Sequence, residues 1–437
     1  MQQANTMVDV LEHCRVSPSL DLSVTKFLPL TFFDMFWLNW PSLSRVYFYE
    51  ISCSKTEFTQ TIVPHLKKSL ALTLKYYYPF CGNLLIPTTL SNNTTPALRY
   101  LEGDSVSLVI AEFSGIASEG FKNLSGNDAR DVEELFALVP ELPRGSIDMA
   151  GDETVKVSPV LSLQVTLFPD HGFSIGIRNS HVAADGKTMY NFIRTWTSIS
   201  AKQLTGEDEF KNLDSLPFYD RSVIKDPKGI GLIFLRVYLR MAEEYSKDFD
   251  QAGDKKEMVQ ATLLINRAQI HKLKNLVSPQ LPHVSTFVVV CAYVLWTCMA
   301  KARTALGQEM NVEEEVAEHF VFAMDARARL DPPVPLNYLG NAVLPCWSSL
   351  KTIELVAEEG FGMTVKKIRS AIDEKINNDL TTIVLILGGA NPKSTKLFQR
   401  NLLAGSRDSE GDLELGFCFS KDEMDAFTTI FAEGLLN

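Results

Sequence analysis

Between Leu161 and Trp196 the hydrophobic period changes once, and that change restricts the chain to folds in which a pair of strands feeds a helix. Leu161, Leu163, Val165 and Leu167 alternate with Ser162, Gln164 and Thr166, the two-residue period of a half-buried strand. Pro169-Asp170-His171-Gly172 reads as a turn. Phe173, Ile175 and Ile177 then alternate with Ser174, Gly176 and Arg178 as a second strand. After Ala184-Asp185-Gly186 the period lengthens: Met189, Phe192, Ile193 and Trp196 fall at i, i+3, i+4 and i+7 of a helix with one apolar face. His181 lies at the corner between the second strand and that helix.

The rest of the chain mixes the same two periods. Thr56 to Lys75 is expected to be an amphipathic helix, with Phe58, Ile62, Leu66, Leu70 and Leu74 at four-residue steps. Pro64 inside it predicts a kink or a later helix start. The aromatic run Tyr76 to Gly82 ends it in a turn. Residues 203–222 are polar with weak periodicity and read as a linker between two domains, 1–202 and 223–437. The second half is expected to hold a strand at Met258–Ile265, a helix from Arg267, an apolar helix at Val284–Ala300, a strand at His319–Met324 and a helix at Gly362–Ile376. This mixture points to an α/β or α+β class.

Composition excludes several functions. With 42 basic and 53 acidic residues the net charge is -11, which argues against a nucleic-acid partner. Seven cysteines, widely spread and without a C-x-x-C pair, fit neither a zinc site nor a disulfide framework. Reduced thiols in a cytoplasmic protein are the simpler expectation. The N-terminus lacks the apolar core of a secretory signal. Val284–Ala300 contains Ser285, Thr286 and Thr297 and falls short of the roughly 20 apolar residues of a membrane span. A buried core helix is expected there, with no membrane partner.

Known catalytic motifs are mostly missing: no G-x-S-x-G elbow, no H-E-x-x-H zinc helix, no complete phosphate-binding loop. What remains is His181-Val182-Ala183-Ala184-Asp185. By layout alone two readings stand. His181 is a loop or core histidine beside an Asp185 that caps the helix, or it is a general base. Imidazole has a reference pKa near 6.5 and accepts a hydroxyl proton near neutral pH.

His181 to Gly186, HVAADG, resembles the HxxxDG motif of the BAHD acyltransferases, plant enzymes that move acyl groups from coenzyme A to alcohols and amines. The likeness extends to Leu28-Pro29-Leu30-Thr31-Phe32-Phe33-Asp34 with Trp37-Leu38, and to Tyr77-Tyr78-Pro79-Phe80-Cys81-Gly82-Asn83-Leu84. It continues through Pro217 to Arg221, Ser285-Thr286-Phe287, Asp325-Ala326-Arg327-Ala328-Arg329, Pro332-Pro333 and Asn337-Tyr338-Leu339-Gly340-Asn341. These segments follow the family's order from about residue 10 to 390.

The resemblance implies an α/β fold of two chloramphenicol-acetyltransferase-like domains, each a mixed sheet with flanking helices, and a solvent channel between them. It makes His181 the base that deprotonates the acceptor for direct attack on the thioester. Asp185 is expected to hold the loop through a salt bridge. Ser285, Thr286, Arg327 and Asn341 are expected on the coenzyme A side, with the structural ion pair an equal alternative for Arg327 and Arg329. No permanently bound cofactor and no metal is expected; acyl-CoA is the donor substrate, and the protein is expected to be monomeric.

The wording around Phe32-Phe33-Asp34, HVAADGKT and Ser406 to Phe427 is most similar to glycoside acyltransferases. That branch implies malonyl-CoA or hydroxycinnamoyl-CoA as donor and a phenolic, flavonoid or anthocyanin glucoside as acceptor. A malonyl carboxylate needs a cation, and Lys187 and Arg178 are candidates. The sequence departs from the family in two places. Leu339 replaces an aromatic residue, and the DFGWG signature is absent between Gly389 and Ser406. Without that segment the chain also fits a catalytically impaired relative that only binds coenzyme A or phenolics.

Overall fold

The computed structural model describes residues 7–19, 25–90, 95–151, 153–205, 216–245, 257–279, 281–307, 317–377, 402–406 and 409–436. The chain forms two compact units. The first comprises Met1–Ser125, Glu134–Gln251 and Asp325–Val343; the second comprises Gly126–Glu133, Ala252–Met324 and Leu344–Asn437. This division is not the cut at 202 and 222 expected from composition. Residues 325–343 fall in the first unit because their apolar side chains pack there: Val334, Tyr338 and Ala342 cluster with Phe218, Val223 and Ile224. Most of the expected linker, 206–215, lies outside the described residues, as does the stretch 378–401 that holds most of the missing-signature region.

The first unit contains two five-stranded sheets. Its strands are β1 (Val8–Val16), β2 (Lys26–Pro29), β3 (Leu43–Glu50), β4 (Asn83–Pro87), β5 (Ala97–Tyr100) and β6 (Val106–Phe113). They are joined by β8 (Ser146–Ala150), β9 (Glu153–Pro159), β10 (Leu161–Phe168) and β11 (Gly172–Asn179), while β7 (Arg130–Asp131) belongs to the second unit. One sheet runs β1-β6-β10-β11-β3 and the other β2-β5-β4-β9-β8. β10 pairs antiparallel with β11 and parallel with β6, so the sheet is mixed.

The strand–turn–strand–helix reading of 161–196 is observed, with one correction. β10 is buried along its whole length, not on one face. It sits inside the sheet, and its polar side is covered as well: Gln164 Nε2 donates to the carbonyl of Ala137 at 2.9 Å, and the Ser162 and Thr166 side chains are buried. Gly172 starts β11 where a Cβ would stand 2.2 Å from the carbonyl oxygen of Tyr49 on neighbouring β3.

The helix Gly186–Thr205 buries Met189, Phe192, Trp196 and Ile199. Its Trp196 Nε1 donates to Ser69 Oγ at 3.0 Å on the helix Val63–Tyr76. Pro64 falls in the first turn of that helix, preceded by a π-turn at Phe58–Ile62. Val63, just before the proline, donates its N–H to the carbonyl of Phe58, the i→i−5 bond of such a turn.

The second unit pairs β15 (Leu402–Gly405), β16 (Leu413–Ser420), β12 (Met258–Ile265) and β7 in that order, with β13 (Ala317–Asp325) and β14 (Val343–Lys351) as a separate pair. The helix Thr286–Ala305 meets the length and hydropathy of a membrane span. Val289, Val290, Ala292, Val294, Trp296 and Ala300 on it are fully buried, packed with Phe320, Phe417 and Phe427 in one core. It is a core helix, as the sequence predicts.

Candidate active site

His181 follows β11 by two residues and stands in the turn that leads into the helix Gly186–Thr205. Asp185 caps that helix: its Oδ1 accepts the N–H of Thr188 at 2.8 Å. Its other oxygen turns toward the segment 325–342. Asp185 Oδ2 accepts from Arg327 Nη2 at 2.9 Å and from the N–H of Ala342 at 3.1 Å. Both side chains of the Asp185–Arg327 pair are buried, at 1% and 0% exposure. Arg327 Nη1 also pairs with Asp325 at 3.2 Å, and its Nη2 lies against the carbonyls of Tyr338 and Gly340. A charge buried this deeply persists because it is paired and bonded.

Asn341 makes a second brace. Its N–H donates to Asp34 Oδ1 at 2.8 Å, and its side-chain amide donates to the same oxygen at 3.0 Å. The amide also reaches the carbonyls of His181 and Val182 at 2.9 and 3.1 Å. Asp34, fully buried, completes a capping box with Thr31 and faces Arg221 at 3.5 Å. The His181 turn is therefore held by one carboxylate from each side, Asp185 through Arg327 and Asp34 through Asn341.

The imidazole itself stacks on the Trp37 indole, with ring centroids 3.6 Å apart and planes 4° from parallel. Nδ1 is buried and, among the described residues, has no partner of hydrogen-bonding geometry. Burial pushes the His181 pKa below its ordinary value near 6.5. Its own carbonyl, Asp185 and Asn341 act the other way, and the Arg45 guanidinium adds to the lowering. The ring is thus neutral near pH 7 and able to accept a proton.

Of the residues expected on the coenzyme A side, two have another place in the structure. Arg327 spends its charge on Asp185 and Asp325 inside the protein, and Asn341 is fully buried against the His181 turn. Both are braces, because neither has surface left to offer a phosphate. Ser285 and Thr286 lie in the second unit at the start of the helix Thr286–Ala305, where Ser285 Oγ accepts the N–H of Val288 at 3.2 Å. Arg178, expected as a donor cation, is held by Glu141 at 2.8 Å and the carbonyl of Pro140. Lys187 is exposed over the Tyr190 ring. The roles of Asp34, Trp37, Arg45 and Thr188 escaped the sequence. Asp34 and Trp37 lie within the Leu28–Leu38 segment that resembles the family, but the local sequence does not mark them as neighbours of His181.

A desolvated imidazole at a doubly braced strand-to-helix corner of an α/β scaffold has the chemistry to accept a proton. The crystal structure of vinorine synthase is similar in fold, with a TM-score of 0.65 at 18% identity and 96% of each chain covered. Residues 6–395 match the family model described as Transferase family. Phenolic glucoside malonyltransferase 1 of Nicotiana tabacum is 40% identical over 85% of this chain and 79% of its own length. Malonyl-coenzyme A:anthocyanin 3-O-glucoside-6''-O-malonyltransferase of Dahlia pinnata is 33% identical over 98% of this chain and 97% of its own. The chain belongs to this transferase family, the BAHD acyltransferases, and is an acyl-CoA-dependent acyltransferase.

Proposed function

We propose that the protein transfers a malonyl group from malonyl-CoA to a sugar hydroxyl of a phenolic, flavonoid or anthocyanin glucoside, as a monomer in the cytoplasm. The acceptor class and the acyl group rest on the likeness to the tobacco and dahlia malonyltransferases. The observation that carries the mechanism is the His181 ring stacked on Trp37, in a turn whose backbone is held by Asn341 and whose next helix is tied by Asp185 to Arg327.

With Nδ1 buried, Nε2 is the nitrogen that takes the proton. As the sugar O–H gives its proton to Nε2, the oxygen forms a bond to the thioester carbon. The tetrahedral intermediate then expels sulfur with the C–S electron pair, and the imidazolium returns the proton to the thiolate, leaving the ester and coenzyme A. No cysteine is needed as a nucleophile. Burial pushes the thiols of Cys81, Cys291 and Cys298 upward, the last to about 12, and these groups stay protonated.

The test is mass-spectrometric product detection with phenolic and flavonoid glucosides, offering malonyl-CoA and coumaroyl-CoA in parallel. A malonylated product is expected. His181→Ala should lower its rate by about 10²- to 10⁴-fold. A coumaroylated product alone would replace the donor. The absence of DFGWG between Gly389 and Ser406 favours a second reading, a relative that binds without transfer. A folded, CoA-binding protein that forms no product would establish it.

A further inference from the structure

We infer that Arg45 is the residue that reads the donor's acyl group, by holding the free carboxylate of a short dicarboxylic thioester such as malonyl-CoA. Arg45 lies on β3, in register opposite Ile177 of β11. Directly opposed residues of an antiparallel pair point to the same face, so the guanidinium shares a face with Asn179. There Arg45 Nη1 donates to Asn179 Oδ1 at 2.9 Å. Asn179 is the last residue of β11, two before His181. The guanidinium therefore rests on the strand end from which the base emerges, close enough for its charge to act on the imidazole.

Among the cations around this site, Arg45 has no ion pair with a described residue. Arg327 is committed to Asp185 and Asp325, and Arg221 faces Asp34. Arg178 alternates to the opposite face of β11 and is held by Glu141. Lys187 is exposed over Tyr190. Arg45 is partly buried, and its one described hydrogen bond uses one of five N–H donors. Burial pushes its pKa down, with Tyr47 and Asp185 acting across space in the other direction. A desolvated guanidinium with free donors favours a planar, bidentate anion.

Malonyl thioesters present that anion in the right neighbourhood. Their carboxylate carbon is two bonds from the carbon under attack, so a cation that holds it must stand near the base. An acetyl donor offers Arg45 nothing, and a coumaroyl donor offers only a distant phenol. This inference rests on the malonyl reading of the donor and names the residue behind it.

The experiment compares the protein with Arg45→Met and Arg45→Lys, using malonyl-CoA and acetyl-CoA against one glucoside, with calorimetric binding of each donor alongside. Arg45→Met is expected to lower the malonyl-to-acetyl ratio of kcat/KM by about 10²-fold, and Arg45→Lys by less, because an ammonium lacks the fork. Malonyl-CoA binding should weaken by a similar factor relative to acetyl-CoA. An unchanged ratio would overturn the role, whether both donors lose rate together or neither does. If the native protein transfers neither donor, the proposed function fails, and calorimetry still decides this inference. A malonyl preference in binding that vanishes in Arg45→Met supports it, and a native protein that binds both donors equally overturns it.

Discussion

The His181 imidazole lies flat on the Trp37 indole at 3.6 Å between ring centroids. The contact fixes the ring plane and strips water from one face of the base. Attraction of an imidazolium to the indole would favour the charged ring, but burial is the largest influence on His181 and works toward the neutral form. Replacing Trp37 by Leu should lower kcat/KM by about tenfold, since such a stack is worth about 0.5–1.5 kcal/mol. It should also move the acid limb of the rate profile up toward pH 6.5. A profile with an unmoved limb and an undiminished rate would remove Trp37 from the site.

The lowered His181 pKa has a definite sign in pH experiments. The neutral base persists below pH 6.5, so the acid limb of kcat/KM should have its midpoint under that value. Between the folded pKa and 6.5 the unfolded chain binds the extra proton. The stability contributed by the neutral ring is therefore complete above pH 6.5 and is lost as pH falls through that window. Urea midpoints of the native protein and His181→Gln should converge on acidification. Parallel curves would contradict the burial of the ring.

Breaking the Asp185–Arg327 pair from one side leaves a charge without its closest partner. Asp185→Asn should cost about 3 kcal/mol, at the lower end for a buried pair because Asp325 still faces the arginine. Asp185→Leu with Arg327→Met should cost clearly less than the sum of the two single changes. Chemical denaturation of all four proteins gives the coupling. Strict additivity would mean that the pair is not formed in solution.

Gly340 has φ +127°, and a Cβ there would stand 2.1 Å from Arg221 Nη1. Gly340→Ala should destabilise the protein by about 1–3 kcal/mol from backbone strain, with more from displacing Arg221 off Asp34. The denaturation midpoint reads it directly.

Asn341→Leu removes one amide that serves Asp34 and the carbonyls of His181 and Val182. A buried group left unpaired costs about 1–3 kcal/mol. If His181 is the base, the expected kinetic outcome is a fall in kcat with little change in the donor KM, since Asn341 is fully buried against the His181 turn. A rise in KM alone would place it on the donor path.

Much of this was legible before the structure. The alternation of Leu161, Leu163, Val165 and Leu167 and the i+3/i+4 spacing of Met189 to Trp196 were sufficient for β10, β11 and the helix after Asp185. Side-chain polarity misled in one respect. Ser162, Gln164 and Thr166 read as a solvent face, but all three are buried, Gln164 against the carbonyl of Ala137, and no local pattern records what packs above a strand. The site was legible only as far as His181-x-x-x-Asp185. The partners of that motif, Arg327, Asn341, Trp37 and Arg45, come from segments brought in by tertiary packing. The charge on Arg327 fitted an internal ion pair and a phosphate contact equally, and the structure shows the ion pair. The domain cut at 202–222 followed composition, but residues 325–343 return to the first unit, and hydrophobic spacing does not encode such a return.

That return gives the His181 corner a history on the ribosome. Asn341 follows His181 by 160 positions, and synthesis at about 5–20 residues per second separates them by on the order of ten to thirty seconds. Throughout that interval the nascent chain has made His181 but not its braces, and Asp185 waits without its arginine. The first unit can mature only after β13, a strand of the second, has been translated. Activity is thus withheld until most of the message has been read, and no product truncated before residue 325 can acquire the finished site.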